Sequence, residues 1–180
     1  MIETKLSSEF IFDGVVVKLY KDTVELPNGK EATREVIRHQ GAACVVALTD
    51  DSKVIVVKQF RYPFDKPLIE IPAGKLDPGE QGHECALREL KEEAGVIPER
   101  IVYIGDFYPT PAYCDEVIHM YMATGLKYVE QDLDEDEFLE VIHMPYNDLK
   151  KAIFMGEVCD GKTQAAFLKA DYILHNIKKK

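Results

Sequence analysis

The segment from residue 74 to residue 96, GKLDPGEQGHECALRELKEEAGV, constrains the fold of this chain more than any other part of the sequence. Its apolar residues recur at the spacing of one helical face and a glycine follows them, which predicts a helix over residues 81–94. This helix places Glu89, Glu92 and Glu93 within a single turn, on a different face from the apolar residues. Carboxylates this close repel each other, so the arrangement is unfavourable unless a cation compensates.

The glutamates allow two interpretations at this point. One is a divalent-metal site, because hard carboxylate oxygens suit Mg²⁺ or Mn²⁺, which in turn bind the oxygens of a diphosphate. The other is a surface helix with a solvated acidic stripe, which is a common arrangement in soluble proteins. The helix alone does not decide between them.

The complete pattern of the segment favours the metal site, because it resembles the Nudix box, G-x5-E-x7-R-E-U-x-E-E-x-G-U, in which U is an apolar residue. The matching residues are Gly74, Glu80, Arg88, Glu89, Leu90, Glu92, Glu93, Gly95 and Val96. Chance agreement at the fixed positions is on the order of 10⁻⁹ per starting point at ordinary residue frequencies. The chain therefore resembles the Nudix hydrolases, which cleave a nucleoside diphosphate linked to some other moiety.

The resemblance implies which residues hold the metal. Glu89 and Glu93 match the main carboxylate ligands for Mg²⁺, for which Mn²⁺ can substitute. Glu92 matches a further or water-mediated ligand, and Ala73, just before the box, would offer its backbone carbonyl. Such metals neutralise the diphosphate and help to generate hydroxide from bound water for attack at phosphorus.

The other fixed positions of the box support these ligands in the family. Arg88 matches the arginine that braces the glutamates, and Glu80 matches a supporting position near the loop. Gly74 and Gly95 allow tight backbone geometry at the two ends of the segment.

The general base stays open among three glutamates. Glu116 lies where related enzymes carry a mobile loop glutamate that acts on the attacking water, and Glu92 and Glu93 are the alternatives. A base must come within hydrogen-bond reach of that water, directly or after loop closure. The candidate catalytic residues are therefore Glu93, Glu92, Glu116 and Arg88.

Segments outside the box indicate which class of substrate the enzyme cleaves. Residues 70–74 resemble the E-x-P-A-G run of ADP-ribose pyrophosphatases, residues 59–61 resemble their Q-F-R segment, and Pro111 has the proline spacing associated with the ADP-ribose group. Ala112 departs from the glycine that this subfamily more often has there. The resemblance implies Mg²⁺-dependent hydrolysis of ADP-ribose to AMP and ribose 5-phosphate. The alternatives are another nucleoside diphosphate sugar, such as a GDP- or UDP-hexose, and a non-catalytic ligand-binding module.

The candidate substrate-binding residues are Arg61, Arg34, Glu70 and Glu116. Arg61 can pair with a substrate phosphate through its forked donors, and a structural salt bridge is the alternative. Arg34 resembles an arginine that reaches the substrate across a dimer interface in this subfamily.

The order of the predicted elements indicates an α+β fold rather than a doubly wound sheet. Residues 1–40 form a β-rich arm with a hairpin at Asn28-Gly29, and residues 41–180 form the hydrolase domain. Strands are predicted at 42–48, 53–60, 68–74, 101–108, 116–123 and 138–144, and helices from 145 and from 163. The resemblance implies an α/β/α sandwich with a mixed sheet. It also implies a homodimer that covers the arm, with Arg34 helping to build the neighbouring site.

The composition disfavours two classes of protein. With 32 acidic against 22 Lys and Arg residues, the net charge of -10 disfavours a nucleic-acid binder, which needs a basic face. No apolar stretch approaches the ~20 residues that span a bilayer, and the N-terminus has no signal-like apolar region, so we expect a cytoplasmic protein.

The four cysteines lack metal-binding spacing and are expected to be reduced. The acidic run over residues 130–137 is expected to be a solvated loop.

Overall fold

The computed structural model describes residues 1–133 and 137–176 of the chain. The described residues form two compact units, one with Met1–Gly41 and Tyr108–Val117, the other with Ala42–Phe107 and the residues from Ile118 onward. The strands are β1 (Thr4–Asp13), β2 (Lys18–Glu25), β3 (Glu31–Arg38), β4 (Ala42–Leu48), β5 (Lys53–Arg61), β6 (Lys66–Glu70), β7 (Ala73–Lys75), β8 (Val96–Phe107), β9 (Ile118–Tyr128) and β10 (Leu139–Pro145). The α-helices are α1 (Gly82–Ala94), α2 (Tyr146–Phe154) and α3 (Gly161–Asn176).

The first unit contains an antiparallel sheet of β1, β2 and β3. The predicted hairpin at Asn28-Gly29 is confirmed, because this pair lies in the turn between β2 and β3, where Gly29 has a φ of 76°. The β-rich stretch of residues 10–20 contains a second turn, in which the Gly14 N–H donates to the Val17 carbonyl (2.9 Å). Every residue of β1 is exposed to solvent, so this strand has no buried face within the chain.

The proline-containing segment Tyr108–Val117 belongs to the first unit through its contacts with the end of β3. The Ile37 N–H donates to the Tyr113 carbonyl (2.7 Å), and the Asp115 carboxylate accepts the His39 N–H (2.7 Å). Residues 76 positions apart meet here, a contact that the local sequence pattern does not signal. From the sequence, this segment was predicted to belong to the hydrolase domain rather than to the arm.

The second unit contains a seven-stranded mixed sheet in the order β10-β5-β4-β9-β8, with β6 paired to β5 and β7 paired to β4. β4 and β9 run parallel, and the other neighbours are antiparallel. The hairpin predicted within residues 42–60 is confirmed as β4 and β5.

Helices cover both faces of β4, which is why all its residues are buried. One hydrophobic cluster contains Ala43, Val45 and Ala47 of β4 with Cys85, Ala86, Leu90 and Ala94 of α1. The other contains Cys44, Val46 and Leu48 of β4 with Leu149 and Ile153 of α2 and Ala166, Phe167 and Ala170 of α3. This arrangement confirms the α+β class and the α/β/α sandwich with a mixed sheet.

The two central strands separate away from their turn. β4 and β5 are paired at Ala47–Ile55 and Leu48–Val54, whereas the beginning of β4 pairs with β7 and the end of β5 pairs with β6. The chain from β6 to β7 therefore lies in the opening between β4 and β5. Glu70 and Ala73, at the end of β6 and the start of β7, are placed there, and β7 contacts α1.

Several element boundaries differ from the prediction. The strand predicted over residues 68–74 is two strands, β6 and β7, and the strand predicted over residues 116–123 begins at Ile118 and continues to Tyr128. α3 begins at Gly161 rather than Thr163, because the Asp160 carboxylate accepts the Thr163 N–H (2.9 Å) and caps the helix. β8 begins at Val96, directly after the end of α1, rather than at residue 101. Among residues 1–133 and 137–176, no helix is long and apolar enough to cross a membrane.

Candidate metal and substrate site

α1 presents its apolar residues to the sheet and its acidic residues elsewhere, as the sequence predicted. The helix ends at Gly95, which has a φ of 61° and donates its N–H to the Lys91 carbonyl (3.1 Å). Glu89 and Glu93 are also buried, with only 7% and 3% of their surfaces exposed. Two carboxylates one turn apart are thus held away from bulk water.

Both buried carboxylates contact β7. Glu93 Oε2 accepts the Ala73 N–H (2.8 Å). Gly74 lies directly against Glu89, because a Cβ at residue 74 would stand 1.8 Å from Glu89 Oε1. Any side chain at position 74 would therefore displace the Glu89 carboxylate.

Arg88 connects the loop before α1 to two of the glutamates. Its Nε and Nη2 donate to the two carboxylate oxygens of Glu80 (both 2.9 Å). Its Nη1 donates to Glu89 Oε1 (2.7 Å) and Glu92 Oε2 (2.9 Å), and Nη2 also donates to the Lys75 carbonyl (3.0 Å). The hydrogen bonds from Arg88 hold the pKa of Glu80 at about 2, so Glu80 stays charged and the guanidinium stays fixed.

Burial changes the acidity of the two carboxylates on α1. It raises the pKa of Glu89 to about 7, and the charge of Arg88 opposes this rise without cancelling it. It raises the pKa of Glu93 to about 8, against the lowering effect of the hydrogen bond from Ala73. In the absence of a cation, negative charge on this pair is therefore unfavourable.

Glu137 is a further candidate residue that the sequence analysis missed. Its charge contributes to the raised pKa values of both Glu89 and Glu93. The sequence signal was only a position at the end of the acidic run 130–137, which was assigned to a solvated loop. Residues 134–136 of that run lie outside the described residues.

The donor set fits a hard divalent cation. Glu89 Oε2 and Glu93 Oε1 accept no hydrogen bond from the residues that the structure describes, which leaves both oxygens for a cation. Mg²⁺ commonly takes one or two carboxylates and completes its shell with water and substrate phosphates. In the described part of the chain, no three His, Cys, Asp or Glu side chains are arranged to hold a metal alone. Glu92 is engaged by Arg88.

Arg61 and Glu70, two of the predicted substrate-binding residues, form one bidentate ion pair. Arg61 Nε and Nη2 donate to Glu70 Oε1 (2.6 Å) and Oε2 (2.7 Å), and Lys162 also donates to Glu70 Oε2. Burial alone would raise the pKa of Glu70, but the two cations bring it to about 2. Sequence reasoning missed Lys162, because it belongs to no motif and lies 92 residues from Glu70.

Arg34 and Glu116 lie in the first unit. Arg34 Nε and Nη2 donate to the two carboxylate oxygens of Glu3 (2.9 and 2.5 Å). Glu116 Oε1 lies 3.7 Å from His39 Nδ1, but that nitrogen accepts the Gly41 N–H (3.0 Å) and so has no proton to give Glu116. The substrate and catalytic roles of Arg34 and Glu116 stay predictions.

Comparison with known proteins places these features in a family. A family model described as NUDIX domain matches residues 38–162, and one described as nucleoside diphosphate sugar hydrolase N-terminal domain matches residues 3–37. The chain is 45% identical to the ADP-ribose pyrophosphatase of Bacillus subtilis over 91% of this chain and 90% of the relative. It is 43% identical to the methanol dehydrogenase activator of Bacillus methanolicus, with the same coverage. A crystal structure of an ADP compounds hydrolase matches 97% of the chain and 95% of its own length with a TM-score of 0.85 at 20% identity, a likeness of fold.

Proposed function

The chain belongs to the Nudix family, and from this premise we propose that it hydrolyses ADP-ribose at the diphosphate to give AMP and ribose 5-phosphate. The observation that carries the reaction class is the buried pair Glu89 and Glu93, each with one oxygen left for a cation. The substrate is supported by the 45% identity to a relative that is named ADP-ribose pyrophosphatase.

In this proposal a divalent cation, Mg²⁺ with Mn²⁺ as a substitute, is held by Glu89, Glu93 and the Ala73 carbonyl. When bound, it supplies positive charge for the diphosphate and lowers the pKa of a coordinated water. Arg88 keeps the Glu89 carboxylate in place. Arg61 offers Nη1, which donates to no residue in the described ranges, to a phosphate oxygen of the substrate.

Four glutamates are candidates for the general base in this proposal: Glu137, Glu116, Glu92 and Glu93. Glu137 is supported by the effect of its charge on the pKa of Glu93, and Glu92 is disfavoured by its bond to Arg88. The variants Glu137→Gln and Glu116→Gln distinguish between Glu137 and Glu116 as the base. The variant that has lost the base loses kcat and one limb of the pH–rate profile, whereas loss of a binding contact raises KM.

A substrate panel tests the proposed activity. ADP-ribose, a GDP-hexose and a UDP-hexose are compared with Mg²⁺ and with Mn²⁺, and phosphate is measured after coupling to a phosphatase. We expect the highest kcat/KM for ADP-ribose. The second candidate, another nucleoside diphosphate sugar, is supported by the family described for residues 3–37, and faster cleavage of a hexose nucleotide would establish it instead. Tight binding without turnover of any nucleotide would indicate a ligand-binding module.

We also propose that the protein is a cytoplasmic homodimer. Support for the dimer comes from the first unit, in which all ten residues of β1 are exposed and several are apolar. A partner subunit would remove this apolar surface from water.

A further inference from the structure

Lys162 is a buried cation that no step described above uses. Its side chain, near the start of α3, is only 13% exposed. Its Nζ donates to Glu70 Oε2 and lies 3.1 Å from Asp160 Oδ2. The ammonium group therefore joins the end of β6 to the N-terminus of α3.

Asp160 is already satisfied by the beginning of α3. Its Oδ2 accepts the Thr163 N–H (2.9 Å) and the Thr163 hydroxyl (2.6 Å). A negative charge at this end of a helix is further stabilised by the helix dipole. Lys162 is thus shared between Asp160 and the other carboxylate, Glu70.

Glu70 shares its charge between two cations. Arg61 donates to both of its oxygens through Nε and Nη2, and Lys162 donates to Oε2. With Lys162 present, two cations share the Glu70 carboxylate, so Arg61 does not neutralise it alone. Arg61 keeps Nη1 for another acceptor.

Both cations interact electrostatically with Glu93 on α1. The charge of Lys162 lowers the pKa of Glu93, and the charge of Glu93 raises the pKa of Arg61. A diphosphate bound through a cation at Glu93 would therefore come within range of the same positive charge.

We propose that Lys162 is a positioning residue of the hydrolase site. By sharing the Glu70 carboxylate with Arg61, it keeps the Arg61 guanidinium fixed and its charge available to the substrate diphosphate. The inference rests on the proposed function, because it requires a substrate with a diphosphate, but it does not require that substrate to be ADP-ribose.

Two substitutions test this role. Lys162→Met removes both the charge and the hydrogen-bond donor. Lys162→Gln removes the charge but keeps a donor for Glu70, so this variant is expected to remain folded. Because a charge-assisted contact to bound substrate is weakened, we expect either change to raise KM about tenfold and to leave kcat within about threefold. An unchanged KM in the folded Lys162→Gln protein would overturn the inference.

A double-variant comparison tests whether Lys162 acts through Arg61. Arg61→Ala should raise KM, and adding Lys162→Gln to it should change KM by less than about twofold, because the contact that Lys162 supports is already absent. If the two effects multiply, Lys162 does not act through Arg61 and the inference is wrong.

Lys150→Met is the matched control for loss of a lysine ion pair. Lys150 donates to both carboxylate oxygens of Asp171 on α3 (both 2.9 Å), in the same unit but in a different cluster. This variant should lower the thermal midpoint and leave KM unchanged. A KM rise equal to that of Lys162→Gln would show that any lost ion pair has this effect, and the inference would fail.

The proposed function can fail separately from this inference. If another sugar nucleotide is the substrate, the same comparison is made with that nucleotide, since it also carries a diphosphate. If the wild type turns over no nucleotide, calorimetric Kd values for ADP-ribose in the presence of Mg²⁺ replace KM, with the same expected tenfold rise and the same unchanged control.

Discussion

Glu93 shows most directly how a single side chain couples burial to chemistry. Its pKa of about 8 means that it is largely protonated near neutral pH without a cation. Glu93→Gln keeps an acceptor for the Ala73 N–H but cannot supply a carboxylate. We expect Mg²⁺-dependent turnover to fall at least about a hundredfold, or about 2.7 kcal/mol of barrier, while the free energy of unfolding is not lowered.

Turnover assays across a Mg²⁺ titration, together with denaturant unfolding, check this prediction for Glu93→Gln. Rates within about threefold of wild type, under about 1 kcal/mol in barrier, would show that Glu93 does not hold the metal.

Gly74 makes a second, purely steric prediction at the residue scale. Its backbone has no left-handed φ, so alanine is tolerated conformationally, but the added Cβ would stand 1.8 Å from Glu89 Oε1. Gly74→Ala must therefore displace the Glu89 carboxylate. We expect the half-saturating Mg²⁺ concentration to rise at least about tenfold, in the range known for disturbed metal ligands.

Gly156→Ala is the control for the loss of a glycine in the same unit. Gly156 has a φ of 75° and nothing within 4 Å of the position of a Cβ. Alanine there should lower the free energy of unfolding by about 1–2 kcal/mol without changing the Mg²⁺ dependence. If both variants kept the wild-type Mg²⁺ dependence, the contact between Gly74 and Glu89 would have no role in metal binding.

At the scale of elements, the Glu70 network ties β5, β6 and α3 together and makes stability depend on pH. The pKa of Glu70 is about 2 in the folded chain against 4.5 as its ordinary value, so folding favours the charged form. Its contribution, up to about 3 kcal/mol, is complete above the unfolded pKa and is lost as pH falls towards the folded pKa. The stability difference between wild type and Glu70→Gln should therefore shrink by about 2 kcal/mol from pH 6 to pH 3.

Denaturant unfolding at several pH values measures this difference. The exposed carboxylate of Glu140, 3.8 Å from Lys58 Nζ, provides the control, because a surface pair contributes little to stability. Glu140→Gln should show a small, nearly constant difference from wild type. A Glu70→Gln difference that does not change between pH 6 and pH 3 would contradict the prediction.

Local sequence patterns predicted most of the helices and strands, whereas features that depend on long-range contacts were not predicted. The helix with its acidic turn, the Asn28-Gly29 hairpin and the β4–β5 hairpin follow from periodicity and turn chemistry within a few residues. The insertion of residues 66–75 between β4 and β5 does not, because it depends on which strand edges pair after the chain has collapsed.

The site residues divide in the same way. The box predicted Glu89, Glu93 and Arg88, and the E-x-P-A-G run predicted Glu70, whereas Lys162 and Glu137 were missed. Lys162 reaches Glu70 from 92 residues away, and Glu137 stands in a run whose composition indicates only solvation. A charged side chain outside a motif gains its role from the fold that surrounds it.

At the scale of the whole molecule, the first unit exposes a series of apolar side chains that a partner subunit could cover. They include Leu6, Phe10, Ile11, Phe12, Val15, Val16 and Val17. We predict a homodimer at micromolar concentration by light scattering, and a shift to monomer in Ile11→Asp, because a buried unpaired carboxylate is costly. Phe154→Asp, at an exposed position of the second unit, should leave the mass unchanged. A monomeric wild type would contradict this prediction.

If the dimer also builds its sites jointly, as predicted for Arg34, two inactive variants should complement each other. Arg34 is held only by the exposed Glu3 and the Thr33 carbonyl among the described residues, so its release to a partner's substrate costs little. In a mixture of Arg34→Ala and Glu93→Gln chains, half of the dimers are mixed. Each mixed dimer has one site with an intact Glu93 and an intact arginine from the partner. Co-expression should therefore restore about a quarter of wild-type activity at low substrate concentration. Activity no greater than the sum of the two variants would mean that Arg34 serves its own chain or none, and the dimer would then only cover the arm.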